Sequence, residues 1–212
     1  YQSQALIDLA RSLNKKIKNI SDIKKIEIHT SHHTHNVIGT GSNDPQKMDP
    51  KASRETLDHS IMYIFAVALE DGKWHHIDSY TPERANTKST VELWKKIKTF
   101  EDKKWTKKYH DPNPNKKCFG GKVFIKMKNG SKIVEEISVA DAHPNGKNPF
   151  KRKDYIKKFE TLTNGIIESS ESERFLNDVQ NLRNLSKSEL NKLNIQLKED
   201  MRQNKISNKG IF

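Results

Sequence analysis

Apolar positions along the chain change their period several times, and each change marks an element. Leu6, Ala10, Leu13 and Ile17 recur at helical spacing from the first residues onward. Ile23, Ile26 and Ile28 then alternate with polar neighbours in DIKKIEIHTSHH, which predicts a strand near 24–31. GTGSNDPQKMDPKA is dense in Gly, Pro, Asn and Asp and reads as a loop. Ser53 can cap a helix, and the run from Leu57 to Leu69 is almost wholly apolar before Asp71-Gly72 stops it. That pattern predicts one buried helix over 53–70. Thr81 and Pro82 open a second helix, expected to run to about Lys98 through Val91, Leu93, Trp94 and Ile97. EDKKWTKKYHDPNPN predicts a short helix ended by its prolines.

The clearest local signal is a hairpin. GGKVFIKMKNGSKIVEEISV holds two alternating runs joined by Asn129-Gly130. Val123, Ile125 and Met127 face one way, and Ile133, Glu135, Ile137 and Val139 continue the alternation on the return strand. After the loop ADAHPNGKNPF everything reads helical. Tyr155, Ile156, Phe159 and Leu162 form one stripe and Leu176, Val179 and Leu182 a second, and Ser186 with Glu189 makes a capping box. A frayed tail is expected beyond Met201. The fold class is therefore α+β: a small mixed α/β domain over 21–150 carrying an antiparallel hairpin, flanked by helices at 1–20 and 151–212 that belong to an all-helical domain. The chain has no initial Met and opens inside a helical pattern, so it is expected to be a piece of something longer.

Composition narrows the classes. Charged residues make up 31% and the apolar set 33% of the 212 residues, a low but globular balance. No apolar run approaches the roughly 18 residues a membrane span needs, so a membrane is not an expected partner. The first residues have no signal-peptide pattern. Cys118 is the one cysteine, which excludes an internal disulfide and an iron–sulfur cluster ligated within this chain. No cofactor is expected, and the cytoplasm is the expected compartment. The net charge of +12 comes from 32 Lys against 7 Arg, scattered over every segment with no visible arm or interleaved aromatics. Nucleic acid is therefore not expected as a partner, and a weak field favouring small anions is.

Several residues carry candidate chemistry. HTSHHTH places His29, His32, His33 and His35 within seven residues. If the strand continued, His29, His33 and His35 would share a face, yet no carboxylate or thiolate sits at useful spacing for a metal. Hydrogen-bonding and anion-binding donors at a strand end are the better reading. GTGSNDPQ lacks the spacing of a nucleotide loop, although its amides could bind a carboxylate. His59 and Tyr63 fall one turn apart on one face of the expected helix, with Arg54 and Glu55 at its mouth. His75 and His76 read as surface imidazoles, and Cys118 as structural despite its flanking Lys116 and Lys117.

These stretches together resemble a known family. HTSHHTHNVIGTGSNDPQKMDPKASRETLDHSIMYIFAVALEDGKWHHIDSYTPERA is similar to the central part of the MmgE/PrpD family, in its branch that dehydrates 2-methylcitrate. The similarity extends through LWKKIKTFEDKKWTKKYHDPNP, the hairpin and DYIKKFETL. It covers about 1–165 strongly and the tail weakly. RETLDHSIMYIFAVALEDG is its most specific stretch. The resemblance implies a large helical domain built from N- and C-terminal portions, with the α+β block as a lid between them. It implies cluster-free loss of water from a tertiary alcohol, 2-methylcitrate giving 2-methyl-aconitate in propionate breakdown, by a general base and a general acid. It also implies a tricarboxylate substrate, a homodimer and an N-terminal helical half supplying most acid/base groups, so this chain alone should be inactive. On that reading His59 is the candidate catalytic residue, Arg54 a carboxylate clamp, and His32, His33 and His35 further substrate contacts. The tyrosine that the family's decarboxylases carry on the lid has no evident counterpart around Asn43 to Met48. Two alternatives stand beside this reading: decarboxylation or epimerisation of a related polycarboxylate, and a non-catalytic assembly subunit of a split enzyme.

Overall fold

The computed structural model describes residues 2–197, and the chain divides into two compact units, Tyr1–Pro149 and Phe150–Phe212. The first unit is a four-stranded sheet backed by helices. Its first helix α1 (Gln4–Asn14) is followed by β1 (Ile23–Thr30), α2 (His32–Val37), α3 (Arg54–Asp58) and α4 (Ile61–Asp71). Then come α5 (Pro82–Ala85), α6 (Lys88–Trp94), β2 (Ile97–Glu101), α7 (Lys103–Tyr109) and the hairpin strands β3 (Gly121–Met127) and β4 (Lys132–Ile137). The sheet order is β2-β1-β3-β4, with β1 and β2 parallel and the other pairs antiparallel. The α+β class expected from the pattern is the class observed.

Helix α4 is the hub. Every residue from Ile61 to Leu69 is buried, against α1 on one side and against α6 and β2 on others. The sheet meets this core with Ile23, Ile26 and Ile28 of β1, Val123 and Ile125 of β3, and Ile97 of β2. Each large apolar side chain taken fully out of water contributes about 1.5–3 kcal/mol, so the longest all-apolar stretch becomes the centre. Asn14 ends α1 and donates its amide to the Leu69 carbonyl at 2.9 Å, satisfying an orphan acceptor in the last turn of α4. No described helix is long and apolar enough to cross a membrane.

Three expectations need correction. The helix foreseen over 53–70 is two helices, α3 and α4. Ser53 caps α3 as expected, but Ser60 is extended and caps α4, accepting the Tyr63 amide at 3.3 Å while its hydroxyl donates to the Lys47 carbonyl at 2.7 Å. His59 occupies the break. The helix foreseen to Lys98 is likewise interrupted: α5 ends at Ala85, α6 at Trp94, and Ile97 begins a strand that pairs Ile26 to Thr30 in parallel register with Ile97 to Glu101. Strand β1 stops at Thr30, and Ser31 caps α2 by accepting the Thr34 amide at 3.1 Å, so His32, His33 and His35 are helical. The hairpin stands as expected, with Val123 opposite Glu135 and Ile125 opposite Ile133. Gly130 supplies the positive φ of 88° that its turn needs.

The second unit is helical, as expected after Lys151: α8 (Arg152–Thr163), α9 (Ser169–Gln180) and the short α10 (Lys187–Asn191). Phe159 and Phe175 stack at 5.3 Å between α8 and α9. Ser186 and Glu189 form the foreseen capping box. The expected tail beyond Met201 lies outside the described residues.

Candidate functional site

Two polar clusters form at the ends of one segment, 39–60, that leaves the core after Ile38 and returns at Ile61. The Ile61 amide donates to the Ile38 carbonyl at 2.8 Å, so the segment is a closed excursion.

The first cluster sits at the carboxyl ends of the parallel pair β1 and β2. Both strands turn there into capped helices, α2 after Ser31 and α7 after Asp102, and the Asp102 amide donates to the Thr30 carbonyl at 2.8 Å. Parallel strands exposing their carboxyl ends commonly carry ligand sites in α/β sheets. Glu101 links the two sides: one oxygen lies 2.9 Å from His32 Nδ1 and the other accepts from Thr106 Oγ1 at 3.1 Å. Thr106 Oγ1 in turn accepts the His32 amide at 2.8 Å. The Glu101 carboxyl is held below its ordinary range, chiefly by the His32 hydrogen bond. The His32 ring is 60% exposed. An imidazole oriented by a carboxylate and open to solvent can pass a proton.

His35 is held differently. Its Nδ1 lies 2.7 Å from Thr99 Oγ1, which also accepts the Thr40 amide at 2.9 Å. Burial pushes its pKa below the ordinary histidine value, against the pull of Glu101. The loop Gly39-Thr40-Gly41 closes over it: a Cβ on Gly41 would lie 2.4 Å from His35 Nε2, and one on Gly39 2.4 Å from Thr99 Oγ1. The glycines of GTGSNDPQ thus permit a close approach to a histidine. Contrary to the carboxylate-binding expectation, amides of this loop are used internally, Thr40 on Thr99, Ser42 on Gly39 and Asn43 on Thr40.

The second cluster forms where α3 meets the 3-10 turn Asp78–Tyr80. Arg54 donates to the His76 carbonyl at 3.0 Å, and its guanidinium lies 5.3 Å from the centre of the Tyr80 ring. The Tyr80 phenol donates to Asp58. Burial and that bond raise the Tyr80 pKa far above the usual phenol value, which keeps the group a donor. Arg54 is exposed and has guanidinium donors left for an anion.

The sequence-predicted residues are thus distributed unevenly. His32 and His35 share one cluster. His33 is exposed against Tyr109 at 5.3 Å, and His29 lies on the opposite side of the sheet between Phe100 and Phe124. Among the described residues no three His, Cys, Asp or Glu side chains are placed to hold a metal. Arg54 sits in the second cluster. His59 does not share a buried face with Tyr63: it is exposed, its Nδ1 2.8 Å from the Glu55 carbonyl, because the chain breaks at Ser60 and turns it outward. Tyr63 is buried, donates to the Ser79 carbonyl at 2.5 Å, and has its pKa pushed up to about 12 by burial. Glu101, Thr99, Thr106 and Tyr80 were not foreseen. A period-2 reading of Ile97, Thr99 and Glu101 was the available signal for three residues of β2.

The family model for the MmgE/PrpD C-terminal domain matches residues 1–184. The chain is 29% identical over 141 residues to a protein of Salmonella typhimurium named 2-methylcitrate dehydratase, covering 65% of this chain and 27% of that protein. It is 28% identical over 143 residues to one of Yarrowia lipolytica named 2-methylcitrate dehydratase, mitochondrial, covering 66% and 25%. A protein of Escherichia coli K12 with the first of these names is 28% identical over 141 residues, covering 65% and 27%. The matched part spans about a quarter of the length of these relatives.

Proposed function

The chain belongs to the MmgE/PrpD family, and from that premise we propose that it is the C-terminal portion of a hydro-lyase that dehydrates 2-methylcitrate to 2-methyl-aconitate in propionate breakdown. The observation that carries the reading is the Glu101-oriented His32 at the strand ends, in a chain whose relatives bear the dehydratase name. Dehydration needs one group to take the proton alpha to a carboxylate and another to protonate the leaving hydroxyl. His32 is suited to one of these transfers. Arg54, held over Tyr80 with donors to spare, is suited to a substrate carboxylate, while the Tyr80 phenol is spent on Asp58 and holds the platform beneath the guanidinium. On this reading His32 and Arg54 replace His59 as the side chains that meet substrate. The remaining proton-transfer and cationic groups come from the N-terminal helical half, so the chain by itself does not turn over.

The test uses the whole reading frame that contains this chain. Purified enzyme is mixed with 2-methylcitrate, and the conjugated-alkene absorbance and the products are followed. Turnover that falls about 100-fold or more in His32→Ala, by loss of a proton-transfer group, supports the reading. Decarboxylated or epimerised product with no alkene would move the chain to another chemistry of the family. Robust turnover by residues 1–212 alone would sink the claim that the other half is needed.

A further inference from the structure

One face of the sheet turns away from the core, and it carries a row of rings that no single stretch of sequence displays. Phe100 of β2 is the register partner of His29 on β1, and their ring centres lie 5.3 Å apart. His29 then meets Phe124 of β3 at 4.8 Å, diagonally across the strands. Phe124 pairs with Val134 of β4, so the row crosses all four strands. Phe100 remains 39% exposed and Val134 45%. Isolated exposed apolar residues need no explanation, but a contiguous row across a sheet does.

Cations interleave with the row. Lys98 lies two residues before Phe100, Lys122 two before Phe124, and Lys126 two after it, all on the outward parity of their strands. Lys122 Nζ stands 5.4 Å from the Phe124 ring centre. Two acids share this face, and each already has a lysine: Glu27 with Lys25 at 2.7 Å and Glu136 with Lys104 at 3.9 Å. Lys98, Lys122 and Lys126 have no acidic partner within ion-pair distance among the described residues. The face therefore offers rings among lysines that outnumber its acids, with Glu136 the register partner of Lys122 and Glu27 that of Phe124, on a chain of net charge +12.

We infer that this outer face of the sheet binds single-stranded nucleic acid. Bases unpaired from a partner strand present flat surfaces that stack on aromatic side chains, while the backbone phosphates need cations at intervals beside them. Folding assembles the interleaving from β1, β2 and β3. Single strands show only fragments of it, Lys122-Phe124-Lys126 on β3 and Lys98-Phe100 on β2, and pairing through His29 of β1 joins them into one row. A duplex keeps its bases inside and meets only the lysines. A bare polyanion meets the same lysines and leaves the rings unused.

The test is fluorescence anisotropy of the full chain with a labelled oligo(U) or oligo(dT) of about 12 nucleotides, within the usual site size. The expected result is saturable binding that weakens as salt rises, with Phe100→Ala losing about tenfold in affinity, Phe100→Tyr retaining it, and Lys122→Ala flattening the log–log salt slope by about 0.7. The expected competitors rank single strand above duplex above polyphosphate. Thermal melts of each variant establish that it is folded, and Lys98→Ala provides a second charge variant in case Lys122→Ala is not. Equal competition by polyphosphate, or binding indifferent to Phe100→Ala in a folded protein, would show charge attraction alone and overturn the inference. So would failure to bind at low salt. A concentration-dependent dimer abolished by Phe100→Ala, with no oligonucleotide binding, would assign the face to a second copy of the chain.

Discussion

Replacing Arg84 with Met should cost the first unit about 2–3 kcal/mol. Helix α4 ends with Glu70 and Asp71, two carboxylates in the turn where the helix dipole is negative and disfavours them. Arg84 reverses this. Its Nε and Nη2 fork onto the two Asp71 oxygens at 3.1 and 2.9 Å, and Nη2 also reaches Glu70 at 2.9 Å. Thr90 Oγ1 donates to the same Glu70 oxygen at 2.6 Å, tying α6 into the network. Burial alone would lower the Arg84 pKa, but its bonds to Asp71 and Glu70 outweigh that and raise it. The side chains are 17%, 13% and 27% exposed for Arg84, Glu70 and Asp71. That places the network between exposed pairs worth about 0–1 kcal/mol and buried ones whose breaking costs about 3–5. Trp74, Trp94 and Trp105 all lie in the first unit, so tryptophan fluorescence in urea follows that unit alone. The corresponding fall in melting temperature is about 5–10 °C. Adding Glu70→Gln and Asp71→Asn to Arg84→Met should recover much of the loss, because the stranded charges are then gone. An Arg84→Met protein within about 0.5 kcal/mol of the parent, the range of an ordinary surface change, would refute the account.

Two further outcomes follow from the titrating groups. His35 has its folded pKa below the free value of 6.5, so the unfolded chain binds its proton more readily. The stability this gives is complete above about pH 6.5 and is lost as pH falls from there through the folded pKa. Urea titrations from pH 7.5 to 5 should show that loss, and His35→Gln should remove His35's part of it; an unchanged pH slope would count against the burial of this ring. Tyr80→Phe keeps the ring under Arg54 and removes only the hydrogen bond to Asp58, a solvent-exposed partner. It should cost about 1 kcal/mol by the same fluorescence assay, and a loss above about 3 would mean that Asp58 is stranded when the phenol goes.

What the sequence made legible divides along one physical line. Devices closed by neighbours were readable: the Asn129-Gly130 turn, the Ser53 and Ser186 caps, and the stripe of α1. The turn and the caps depend on hydrogen bonds within a few residues, and the stripe shows in the helical period of its own apolar positions even though α4 is what buries it. The family, too, was legible in RETLDHSIMYIFAVALEDG, and the match over 1–184 bears it out. The Ser31 cap that ends β1 is local and was missed all the same, but the other two failures were decided by distant partners. Ile97 continues the helical spacing of Trp94, and only parallel pairing with β1 makes it a strand. Ser60 sits inside an apolar run, and its hydroxyl bond to Lys47, thirteen residues back, anchors the break that turns His59 outward.

The same line explains why the candidate site was only half visible. His32, His35 and Arg54 could be named from their chemistry, because imidazole and guanidinium announce themselves. Their partners could not. Glu101 is 69 residues from His32, Thr99 is 64 from His35, and the ring beneath Arg54 is Tyr80. A site residue becomes a site only through the partner that fixes its orientation, and here those partners come mainly from β2, the strand the pattern hid. The outward ring row has the same origin, since Phe100 is on that strand as well. One missed strand therefore concealed both the Glu101 side of the candidate active site and one end of the proposed nucleic-acid face. A variant that unpairs β2 from β1 should disturb the two together.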